Sequence, residues 1–244
     1  MKAPRIFLIH ATALAIDPIT AAFARQWPQA QIVNLLEDSL SRDLVKEGGL
    51  TTSMKARFLT LSRYAVQSAA DAILFTCSAF GDAIDLCKPD IAIPVLKPNE
   101  AMINQALMQA SRVAVLATFE PTITSIMAEF KQAAERSGRA VEVVPYFVPG
   151  AMQALSEGNK EGHDAAIAQM AAQVGACDLI CFAQFSMTSA AAQAQARSGL
   201  PVLTTPGSAV LELRRTLQAD DFVSSQDGCL PNAQVQCSSR FPVQ

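Results

Sequence analysis

Short apolar runs alternate with longer stretches in which Ala, Leu and Met recur at helical spacing, and this alternation extends over most of the chain. The runs at residues 5–9, 71–75, 94–96, 112–116, 178–182 and 201–203 are continuous, and turn-prone residues bound them. A continuous apolar run of that length predicts a strand buried on both faces. Residues 31–35 and 140–144 read as further strands, and the periodicity predicts helices over 54–70, 123–137 and 163–174. Strands alternating with helices imply βαβ units with right-handed crossovers and parallel sheets.

The runs repeat. Residues 5–9 match 112–116, 71–75 match 178–182, and 94–96 match 201–203, each pair lying 107 residues apart. The chain therefore reads as two halves, about 1–107 and 108–214, followed by a tail of 30 residues. The predicted fold is α/β: two duplicated, doubly wound, flavodoxin-like parallel-sheet lobes related by a pseudo-two-fold axis. Ligands of such sheets bind outside the carboxyl ends of the strands, which puts the site in the cleft between the lobes. The helical stretch from Ser208 is expected to cross back, so the first lobe comprises residues 1–97 plus 208–244 and the second 98–207. Residues 222–244 are polar and lose periodicity, and read as a loosely held surface segment.

Composition narrows the function classes. Half of the 244 residues are apolar and 17% are charged, which excludes a disordered or fibrous chain. A net charge of −3 without a basic block makes nucleic acid and anionic membranes poor partners. No stretch reaches the roughly 18 apolar residues of a membrane span. The apolar segment 6–16 is interrupted by His10 and lacks a clean cleavage site, so it does not read as a signal peptide. The six cysteines form no CxxC pair and the two histidines stand far from any metal-ligand spacing, so no metal site is expected and the thiols indicate a reducing, cytoplasmic setting. Gly48-Gly49 is not a phosphate loop.

Candidate chemistry gathers at the predicted strand ends. Cys77 and Ser78 follow the third strand and precede a helix, where unpaired N–H groups and the helix dipole favour a thiolate able to act as base or nucleophile; the alternative is a cysteine packed at a tight turn. Position 184 is the counterpart of 77 in the second half and holds Gln184, near Ser186. Both side chains are able to hydrogen-bond a ligand's carboxylate or carbonyl, or to serve a turn. Thr118 and Thr122 flank a proline at a helix start, the composition of an anion cradle and equally of an ordinary N-cap. His10 reads as a general acid or as a satisfied structural group. Lys97 reads as an attractor for an acidic substrate or as a surface lysine.

The run FTCSAFG at 75–81, PVLKPNEAM at 94–102 and AQFSM at 183–187, in this order on two duplicated lobes, resembles the aspartate/glutamate racemase superfamily over residues 4–214. The resemblance implies catalysis without a cofactor, with one cysteine per lobe exchanging a proton on opposite faces of the substrate's α-carbon. It assigns Cys77 as the first catalytic cysteine, Ser78 and Ala79 to a carboxylate-binding turn, and Thr118 and Thr122 to a substrate turn. It also implies a homodimer and a small carboxylate or amino-acid-type substrate. The departure is in the second lobe: the usual Gly-Cys-Thr-His is Ala183-Gln184-Phe185-Ser186, and an amide exchanges no proton near neutral pH. Cys181 lies three residues earlier, within the strand. Three readings follow: a racemase-like isomerase; a one-thiol enzyme, either a malonate-type decarboxylase or a cis-trans isomerase of an unsaturated diacid; or a non-catalytic carboxylate-binding protein on a racemase scaffold.

Overall fold

The computed structural model describes residues 3–226. Two four-stranded sheets, parallel throughout, carry the duplication: β1 (Arg5–His10), β2 (Gln31–Leu36), β3 (Ala72–Phe75) and β4 (Val95–Leu96) in the order β2-β1-β3-β4, and β5 (Arg112–Ala117), β6 (Glu142–Phe147), β7 (Leu179–Phe182) and β8 (Val202–Thr204) in the order β6-β5-β7-β8. The continuous runs have the predicted cause. β3 and β7 are buried at every residue, and β1 and β5 at every residue after the first, because helices cover both faces.

The edge strands β2 and β6 are only half-buried and share one burial pattern. There the sequence expectation is least accurate: β6 begins at Glu142 rather than 140 and continues through Pro145 to Phe147. An edge strand tolerates proline because one side of its backbone pairs with nothing. Gln31 pairs with Arg5 and Glu142 with Arg112, so the offset between these strands is 111 rather than 107. The four extra residues amount to about one helical turn, and the second-half helix before β6 is correspondingly longer.

The helices are α1 (Ile16–Gln26), α2 (Ser39–Glu47), α3 (Thr52–Gln67), α4 (Gly81–Cys87), α5 (Glu100–Gln109), α6 (Glu120–Ser137), α7 (Ala151–Ser156), α8 (Lys160–Ala171), α9 (Ala191–Ser198) and α10 (Thr205–Gln226). Thr51 and Asn159 accept backbone N–H groups at the starts of α3 and α8. α6 starts with proline in its first turn and stops at Gly138, whose φ of 66° is a left-handed cap. None of the described helices is long and apolar enough to cross a membrane.

Each sheet is fastened at its start by a duplicated carboxylate. Asp71 Oδ2 accepts from the Arg5 N–H at 2.7 Å; Asp178 Oδ2 accepts from Ser111 and Arg112 at 2.7 and 2.8 Å. These donors hold the Asp178 carboxyl below its usual range. Ala209, Val210 and Leu213 of α10 pack with Ile6, Leu8, Ile19, Phe23 and Trp27, so the last helix closes the outer face of the first sheet. Arg214 Nη1 adds a hydrogen bond to the Gln26 carbonyl at 3.0 Å. α10 continues past residue 221 to Gln226, beyond the point where periodicity suggested its end; the rest of the polar tail lies outside the described residues. One side chain crosses between halves at this level: Phe185, which follows β7, is buried in the same cluster as Ile6 and Ala15.

Candidate active site

Cys77 follows β3 and caps a 3-10 turn, Ser78–Phe80, that runs into α4. Its backbone is extended, with φ −121° and ψ 118°. The thiol is half-buried and rests against the apolar cluster that contains Phe58, Phe75 and Phe80. Burial pushes its pKa up, and the Ala79 N–H pulls the other way with less effect. The expectation that the strand-to-helix turn favours thiolate is therefore corrected: burial against the aromatic cluster outweighs the pull of the turn's N–H groups. Ser78 is half-buried in the 3-10 turn and Ala79 is exposed.

Gln184 caps the equivalent 3-10 turn, Phe185–Ala190, after β7. Its Oε1 accepts two hydrogen bonds, from the Thr118 backbone N–H at 2.7 Å and from the Thr118 hydroxyl at 2.9 Å. A backbone N–H is always a donor, so these contacts fix which end of the amide faces Thr118. No hydrogen bond among the described residues uses the Nε2 group, which leaves its two donors for a ligand. Thr118 is buried and both of its donors go to Gln184, so it does not form an anion cradle with Thr122; it positions the amide. Thr122 sits half-buried in the first turn of α6, its N–H donating to Phe119. Cys181 is wholly buried inside β7, and its surroundings push the thiol pKa far above the ordinary range.

His10 is buried at the end of β1 with both nitrogens partnered: Nδ1 lies 2.8 Å from Thr76 Oγ1 and Nε2 3.0 Å from Asn34 Oδ1. Burial lowers its pKa, the Asn34 contact opposing. Lys97 is not a surface lysine. Its side chain is only 11% exposed and its Nζ is 2.7 Å from Asp85 Oδ2 on α4, so its charge is spent within the protein rather than on a substrate. Ser186 borders a groove of about 710 Å³ between α1 and the second half, together with Asp17, Arg25, Leu155 and Lys160.

Two residues escaped the sequence reading. Asn99, 2% exposed, donates from Nδ2 to Glu129 Oε1 of α6 at 3.1 Å. Burial pushes the Glu129 carboxyl up, with Asn99 and Lys97 pulling down and Asp85 and Glu100 adding to the rise. An Asn following Lys-Pro marks a turn in sequence, and nothing local signals a partner 30 residues away.

The site thus offers one half-buried thiol at the end of β3 and one oriented amide at the end of β7, at positions related by the duplication. Compared with family models, residues 11–213 match that of the Asp/Glu/hydantoin racemases. No curated protein matches the chain by sequence. Among solved structures, an allantoin racemase from Klebsiella pneumoniae superposes with a TM-score of 0.68 at 17% identity, covering 89% of each chain. A glutamate racemase from Bacillus anthracis gives 0.67 at 13% identity, over 90% of this chain and 84% of its own. A glycine-to-cysteine mutant of arylmalonate decarboxylase in its sulfate-associated form gives 0.64 at 15% identity, over 87% and 92%.

Proposed function

The chain belongs to the Asp/Glu/hydantoin racemase family, and from that premise we propose that it moves a proton at the carbon next to the carboxylate of a small substrate, with Cys77 as the exchanging thiol. The observation that carries this reading is the position of Cys77: half-buried at the carboxyl end of a central strand and at the start of the turn into α4. The thiolate takes the α-proton and the electron pair of that C–H bond moves into the carboxylate as an enediolate. Gln184 Nε2 and the Ser78 hydroxyl are the donors that bear the developing charge.

Incubation with amino-acid, hydantoin and dicarboxylic substrates in deuterated buffer tests this. Wild-type protein incorporates deuterium at the α-carbon and Cys77→Ala does not; incorporation unchanged in Cys77→Ala overturns the assignment.

Gln184 favours a second, one-sided reading. An amide replaces the opposing thiol, and Cys181 is too deeply buried and too weakly acidic to act in its stead. A disubstituted malonate would then lose carbon dioxide as its C–C bond breaks, the electron pair would pass to the remaining carboxylate as enediolate, and the Cys77 S–H would return a proton to one face. Carbon dioxide release with a single product enantiomer separates this from racemisation. Tight carboxylate binding without either reaction identifies a binding protein.

A further inference from the structure

A polar chain stands behind Cys77 that has no counterpart behind Gln184. In the first sheet, Asn34 of β2, His10 of β1 and Thr76, next to Cys77, are linked by contacts of 3.0 and 2.8 Å. Strand register places their equivalents in the second sheet. His10 corresponds to Ala117, Thr76 to Ala183, and Asn34, opposite Leu8, corresponds to Pro145, opposite Val115. At these three positions the second sheet keeps the same pairing with no polar side chain, so the fold itself does not require one there. Burying an imidazole and a hydroxyl costs desolvation that their hydrogen bonds at best offset. All three polar members occur in the lobe that carries the cysteine.

We propose that His10 is a positioning residue for Cys77, acting through Thr76; this rests on the reading of Cys77 as the working thiol. With Asn34 Oδ1 accepting the Nε2 proton, Nδ1 is bare and takes the Thr76 hydroxyl at 2.8 Å, the shorter of that hydroxyl's two contacts, the other being the Ile9 carbonyl at 3.4 Å. Thr76 is then held twice, by its backbone N–H on the Ile9 carbonyl at 3.1 Å and by its side chain on His10. With the preceding residue fixed, Cys77 keeps its extended backbone at the start of the 3-10 turn and its sulfur keeps its place beside the Phe58, Phe75 and Phe80 cluster, near the Ala79 N–H that draws the thiol pKa down. The low pKa of the buried imidazole keeps His10 neutral and the chain intact at neutral pH.

Alkylation of Cys77 by iodoacetamide, followed across pH by mass spectrometry of the peptide that carries it, tests this without a substrate. Thr76→Val keeps the shape and removes the hydroxyl. It is expected to slow alkylation at neutral pH by about threefold or more, as a rise of roughly half a pKa unit would, and to move the pH profile to higher pH. Thr76→Ser restores the wild-type rate, and His10→Ala matches Thr76→Val where it folds. A folded Thr76→Val that alkylates with wild-type rate and profile overturns the proposal and leaves His10 a packing residue. Failure of wild-type protein to exchange deuterium with any substrate is a separate result: it strikes the proton-transfer reading and leaves the alkylation profile as measured.

Discussion

Gln184 stands where the duplication places the counterpart of Cys77, and its geometry decides what it contributes. Thr118 holds its carbonyl oxygen with two donors, so the amide presents Nε2 in one orientation without further ordering cost. A hydrogen bond to a charged partner is worth about 1.5–3 kcal/mol, so Gln184→Ala is expected to reduce kcat/KM by about ten- to a hundredfold, as measured by steady-state kinetics on the substrate found by deuterium exchange. Gln184→Cys puts a thiol where the repeat places the partner of Cys77. It is expected to allow both enantiomers of an α-proton substrate to interconvert, which chiral chromatography reads directly. Both positions were legible in the sequence because a constant offset maps one strand end onto the other. The role of Thr118 was not, because its partner lies 66 residues away at the end of a neighbouring strand and a Thr before a helix has the same local signature whether it caps, binds or positions.

Among the elements, strands with helices on both faces were legible and edges were less so. A doubly covered strand leaves a continuous apolar run, whereas β6 buries one face partly and carries Pro145, so its limits moved by two to three residues. The α2 segment shows what lies outside such patterns. Arg57 of α3 pairs with Glu37 and, at 2.6 Å, with Asp43, and Ser41 of α2 donates to the Ala11 carbonyl at 2.9 Å. These contacts pin α2 beside the end of β1. Arg57 holds both carboxyls below their usual range, so their support is present above an ordinary carboxylate pKa, around 4, and is lost as pH falls through the depressed values. Arg57→Met is expected to speed amide exchange across residues 39–47 near neutral pH, with little change in β1 and β3. In wild-type protein the same segment loses protection on acidification before the sheet does.

At the scale of the molecule, the turn between β4 and α5 couples charge to stability. Asn99 anchors it to Glu129, whose folded-state carboxyl titrates above its unfolded value. For a raised carboxyl, the contribution to stability is complete below the unfolded pKa and is lost as pH rises through the folded one. Glu129→Gln keeps the shape and an acceptor for Asn99, so its melting temperature is expected to exceed that of wild type at pH 7, the gap closing below about pH 4; thermal unfolding across pH checks this. The return of α10 to the first sheet has a consequence in time as well as in space. Both core clusters of the second sheet are drawn from residues 102–203, whereas Ile19 and Phe23 of α1 and the Trp27 that follows it wait for Ala209, Val210 and Leu213. In refolding, the second lobe is therefore expected to close from its own contiguous residues while the first keeps an open apolar face until α10 docks. Pulse-labelled refolding is expected to protect β5 and β7 before β1.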